Sequence, residues 1–124
     1  MKNVNIIAFT GGRTYFNVSL VHSILDICIA LNKEITYRIG CCPTGLDAIV
    51  RNYLRLHTED KNIQVYKADW TIGLKAGPMR NANMLLGRGK ANILADLLIA
   101  FPGGKGTNSC IGIAKRNDIK VIQC

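Results

Sequence analysis

Five short apolar runs alternate with four segments of helical length, and this pattern constrains the chain more than any other feature. The runs cover residues 4–9, 35–39, 62–66, 94–101 and 119–122. The intervening segments are read as helices over residues 17 or 19 to 31, 46–56, 77–86 and 106–117. In the first, Val18, Val21, Leu25, Cys28, Ile29 and Leu31 recur at the spacing of one helical face, with Asn17 or Ser19 as the cap. The fourth run is apolar almost throughout, as expected of a strand buried on both faces. Such β-α alternation predicts a mainly parallel five-stranded sheet between two helical layers. A length of 124 residues fits a single domain over residues 1–124 with one substantial core.

Hydrophobic residues make up 48 % of the chain and charged residues 19 %, a globular balance. No apolar run approaches the ~20 residues of a membrane span. The first run is too short for a signal peptide and follows no extended basic region. A cytoplasmic protein without a membrane partner is therefore expected. The five cysteines have no CxxC spacing, Cys41 and Cys42 are adjacent, and only His22 and His57 are available beside them. That pattern suggests reduced thiols, with no metal and no resident cofactor. A net charge of +8 favours anionic partners. The basic residues are dispersed and the aromatics few, which suits a nucleotide better than single-stranded nucleic acid.

In a parallel sheet, ligands bind beyond the carboxyl ends of the strands, near the point where strand order reverses. Three glycine-bearing segments fall at such ends. They are Thr10-Gly11-Gly12-Arg13, then Gly40-Cys41-Cys42-Pro43-Thr44-Gly45, then Pro102-Gly103-Gly104-Lys105-Gly106-Thr107. The third ends the fourth apolar run at a proline and opens a helix. Glycines there let the backbone approach an anion, and unpaired N–H groups of the helix start point at it. Tight strand-to-helix turns also use glycine without any ligand, so placement carries this reading. Neither a Walker A loop nor a dinucleotide fingerprint is present.

A second informative stretch runs from Ala68-Asp69-Trp70 to Gly77-Pro78-Met79-Arg80-Asn81. Pro78 reads as the first helical residue, which puts Arg80 and Asn81 in the first turn. Arg80 there can grip a phosphate in a forked geometry. Asp69 can meet ribose hydroxyls or order its loop, and Trp70 is either core or a lid. Asp47 caps its helix or reaches across to the glycine loops. Arg13, Lys75 and Lys105 are rim cations, solvated or in contact with phosphate. Cys110 reads as a buried structural thiol.

Taken together, these motifs resemble the YspA-type branch of the SLOG superfamily, which also contains the LOG enzymes and DprA. The resemblance rests on residues 10–15, 40–47, 68–70, 76–81 with Met84-Leu85, and 100–107. It implies a Rossmann-like fold and a phosphorylated nucleoside or ADP-ribose-like ligand held by Gly11, Gly12, Arg13, Gly45, Lys75, Gly77, Arg80, Asn81 and residues 102–107. It also implies a homo-oligomer and an association with phage or mobile-element systems. LOG enzymes hydrolyse the N-glycosidic bond of nucleoside monophosphates, which would make Arg80 with Asp47 or Asp69 the working groups. Their PGGxGTxxE loop is matched by Pro102 to Thr107, but Cys110 stands at the glutamate position. An oxocarbenium-like sugar is ordinarily stabilised by a carboxylate. The sequence therefore favours recognition, with N-glycosidase activity as the alternative and DprA-like nucleic-acid binding as a second.

Overall fold

The computed structural model describes residues 4–124. Its strands are β1 Ile6–Thr10, β2 Thr36–Gly40, β3 Ile63–Tyr66, β4 Leu97–Ala100 and β5 Lys120–Gln123. Its helices are α1 Val18–Leu31, α2 Gly45–His57, α3 Ala76–Leu86 and α4 Lys105–Arg116, with short 3-10 turns at Asp60–Asn62 and Trp70–Lys75. All strand pairs are parallel, in the order β3-β2-β1-β4-β5. The chain steps outward from β1 through β2 to β3, then crosses back to place β4 on the other side of β1. Crossovers of one hand travelling in opposite directions put α1 and α2 on one face and α3 and α4 on the other. The result is a Rossmann-like three-layer α/β/α fold.

Strand alternation divides the core accordingly. Ile7 and Phe9 join Val21, Leu25, Leu46 and Val50 beneath α1 and α2. Ala8 between them faces Met84, Leu85, Cys110 and Ala114 of α3 and α4. Of the two expected caps, Asn17 and Ser19, Asn17 caps α1, its side chain accepting from the Leu20 N–H at 3.2 Å.

Most boundaries differ from the sequence reading by a residue or two, and two of the differences have a local cause. β4 starts at Leu97, three residues later than its apolar run: the Ala95 N–H donates to the Leu85 carbonyl of α3 (2.8 Å), and Asp96 joins β1 through its own N–H, donated to the Ile6 carbonyl (2.8 Å), and its side chain. Asp96 Oδ2 accepts the N–H groups of Asn5 and Ile6, both at 2.9 Å. α3 starts at Ala76, ahead of Pro78, because the 3-10 turn Trp70–Lys75 runs directly into it. Pro78 still falls in the first turn, where a missing N–H costs no hydrogen bond.

Sequence reasoning assigns nothing to Arg38, yet it is 1 % exposed at the middle of β2. Its Nη1 donates to the carbonyls of Met84 (3.1 Å) and Ile93 (2.7 Å), and its Nε donates to Gln64 Oε1 (3.0 Å). Burial lowers its pKa while Tyr66 and Asp96 oppose the shift. These bonds tie the end of α3 and the loop beyond it to the sheet, so Arg38 fixes the helix that carries Arg80.

Candidate functional site

β1 and β4 are neighbours at the point where strand order reverses, so the loops leaving them meet. The Gly12 N–H donates to the Pro102 carbonyl at 2.9 Å. The loop after β2 locks on from the other side. The Leu46 N–H donates to the Gly12 carbonyl (3.1 Å), and Thr44 Oγ1 donates to the Arg13 carbonyl (2.9 Å). Gly45 stands at this junction with φ +67°, and a Cβ there would lie 2.3 Å from the Gly12 oxygen. Only glycine accepts both that dihedral and that approach.

These loops, the Ala68–Leu74 region and the start of α3 enclose a cavity of about 800 Å³. Its walls include Gly11, Gly12, Arg13, Asp47, Gly77, Arg80 and Asn81, together with Gly104, Lys105, Gly106 and Thr107. Gly104 is the N-cap of α4, and the first intrahelical bond of that helix runs from the Asn108 N–H to the Gly104 carbonyl (3.1 Å). The N–H groups of Lys105, Gly106 and Thr107 therefore have no acceptor within the helix. They carry the positive end of the helix dipole to the cavity wall.

Arg80 is positioned by its neighbour. Its Nε donates to Asn81 Oδ1 at 2.9 Å, and Asn81 Nδ2 donates to the Gly106 carbonyl at 3.2 Å. Asn81 is 3 % exposed and so links α3 to the first turn of α4 while steering the guanidinium. Arg80 and Asp47 close over the bare Cα of Gly40, where a Cβ would lie 2.5 Å from Arg80 Nη1 and 2.6 Å from Asp47 Oδ2. Arg51 Nη1 also donates to the Gly40 carbonyl, at 3.1 Å.

Asp47 bonds within the loop that leads into its own helix, not across to the loops after β1 or β4. It lies in the first turn of α2, and its Oδ2 accepts the Cys42 N–H at 3.2 Å. Burial raises its pKa, opposed by Arg80, the Cys42 N–H, Arg51 and Arg13. A carboxyl harder to ionise in the folded than in the unfolded chain subtracts stability as pH rises through the window above its ordinary value. Asp47→Asn is expected to flatten that decline. Thermal melts of both proteins between pH 4 and pH 7 check this, and parallel curves would refute the assignment.

The remaining sequence candidates stand outside the cavity wall. Gly45 braces the β1 loop from behind. The Pro102 carbonyl joins the two central loops, and Gly103 lies against Gly12 and Thr107. Lys75 is exposed at the end of its 3-10 turn. Asp69 takes the ordering role: it caps that turn, with Oδ1 accepting the Thr71 N–H at 3.1 Å and the Thr71 hydroxyl. Its carboxylate is thus committed to its own loop.

Trp70 is a wall residue of the cavity, 55 % exposed, with the Arg13 guanidinium 5.7 Å from its ring centroid. Cys110 is fully buried beneath the site, and burial pushes its thiol up to about 11 despite a hydrogen bond with Thr10. It is a neutral core group. Sequence reasoning did not place Cys41 and Cys42 in the wall, where both lie. Their position at the carboxyl end of a strand was the available signal.

The fold is a Rossmann-like α/β domain with a cavity at its strand-order reversal. A scan against protein-family models gives no match, and a search of curated proteins also returns none. Among the described residues, no helix is long and apolar enough to cross a membrane.

Proposed function

We propose that this domain recognises a phosphorylated nucleoside or an ADP-ribose-like ligand. One observation carries the reading: the three acceptor-free N–H groups of α4 and the Arg80 guanidinium line the same cavity. A phosphate would accept from those amides and from Arg80, with Lys105 and Arg13 adding positive charge. Membership of the YspA-type SLOG branch belongs to the same proposal and rests on the motifs alone.

N-glycosidic hydrolysis is the second reading, and Asp47 favours it. Its carboxyl shares the cavity with Arg80, and burial raises its pKa toward the range useful to a general acid. Recognition ranks first because neutral Cys110 occupies the position where the resembled enzymes carry a carboxylate.

Calorimetry with AMP and with ADP-ribose tests recognition, and saturable binding of at least one is expected. Heats of dilution alone for both would overturn it. Prolonged incubation with AMP, followed by chromatography for free adenine, separates the two readings. Adenine release that Asp47→Asn abolishes would make the protein an enzyme.

A further inference from the structure

A phosphate group fills only a small part of about 800 Å³, a volume in the range of sites that enclose whole small ligands. The rest of the wall shows what the remainder of the ligand meets. Phe9 and Trp70 are the aromatic side chains in it, and Phe9 is 1 % exposed within the core. Trp70 alone offers an aromatic surface, with over half of its area uncovered.

The indole is also held in place. Asp69 caps the 3-10 turn on which it sits, through the Thr71 N–H. Its ring tip lies over the start of α3, where a Cβ added at Gly77 would sit 3.6 Å from Cη2. The Arg13 guanidinium lies over one face of the ring, 5.7 Å from its centroid, so a base would stack on the opposite face. A large, positioned and half-exposed aromatic in a cavity wall is suited to stacking a flat ring on its free face, because every base presents a π-face.

We propose that Trp70 forms an aromatic subsite that stacks the heteroaromatic base of the ligand, and that this subsite separates nucleotides from sugar phosphates. The inference rests on the phosphate reading above, with the phosphate on α4 and the base on Trp70. Trp70 is the only tryptophan in the chain, so its fluorescence reports the subsite directly.

The test pairs AMP with ribose 5-phosphate, each followed by calorimetry and by tryptophan emission. AMP is expected to bind more tightly and to quench Trp70. Ribose 5-phosphate is expected to bind more weakly and to leave the emission near its starting value. Trp70→Ala should weaken AMP binding about tenfold and bring it close to that of ribose 5-phosphate. Trp70→Phe should retain most of the preference, and this variant guards against a folding defect in the alanine protein. Equal affinities for the two ligands in the wild type, or an AMP preference that survives Trp70→Ala, would overturn the subsite while leaving the phosphate reading intact. Binding of neither ligand would overturn the subsite, and a failure of ADP-ribose to bind as well would overturn the phosphate reading.

Discussion

Arg80→Ala is expected to weaken AMP binding by roughly 10- to 150-fold while leaving the melting temperature close to that of the wild type. A charge-assisted hydrogen bond contributes about 1.5–3 kcal/mol, and each 1.4 kcal/mol is a factor of ten in affinity. Stability should change little, for a specific reason. The guanidinium's hydrogen bond goes to Asn81, and Asn81 keeps its own link to the Gly106 carbonyl when Arg80 is shortened. The loss of Arg80 also removes the cation that most opposes the raised pKa of Asp47, so that carboxyl should become still harder to ionise and subtract stability as pH rises; the melting temperatures are therefore compared at low pH, where Asp47 is protonated in both proteins. Arg80→Lys keeps the charge but not the fork, and should recover only part of the affinity. Calorimetry on the three proteins decides the matter. Unchanged AMP affinity in Arg80→Ala would remove Arg80 from the binding site.

Gly45→Ala should produce the largest loss of stability among the loop glycines discussed here. The left-handed dihedral costs a residue with a Cβ about 1–2 kcal/mol. Forcing that Cβ to within 2.5 Å of the Gly12 oxygen and the Arg13 carbonyl carbon and oxygen adds about 1–3 kcal/mol. The clash is with backbone, which cannot rotate away as a side chain would. For a domain of this size the sum corresponds to a fall in Tm on the order of 10 °C or more. Gly106→Ala is the comparison, because its Cβ would meet nothing within 4 Å and lies in a helix. That variant should melt at or slightly above the wild-type temperature. A Gly45→Ala protein melting with Gly106→Ala would show that the junction between the β1 and β2 loops relaxes freely.

The fold was legible because period and punctuation agreed. The Pro102 stop marked the end of β4, Asn17 marked the start of α1, and the apolar character of β4 announced its burial. Alternation fits more than one strand order, so the reversal between β1 and β4, and with it the meeting of the first and third glycine loops, came from the structure. Pairwise facts were not legible. Asp69 and Asp47 are both carboxylates beside a loop, and only three-dimensional placement turns one onto Thr71 and the other toward Arg80. Asn81 looked like a companion of Arg80, but its contact with Gly106 spans 25 residues and leaves no local trace. Arg38 was the hardest case. A cation inside an apolar run reads as a solvent-facing position, and its carbonyl partners lie 46 and 55 residues away.

The contact between the loops after β1 and β4 joins parts of the chain about 90 residues apart, since Gly12 donates to Pro102. The cavity wall is drawn from four separate strand-to-helix connections, and no fragment of the chain contains more than a portion of it. The cavity therefore exists only when the distant loops after β1 and β4 meet, and is lost when they part. A ligand that grips both loops would clamp the two halves of the molecule together and resist global opening. At a hundredfold excess over its dissociation constant it would add about 2.7 kcal/mol to the stability of the whole domain. Such a ligand would reveal itself by the temperature at which the protein comes apart, even where no chemistry is observed.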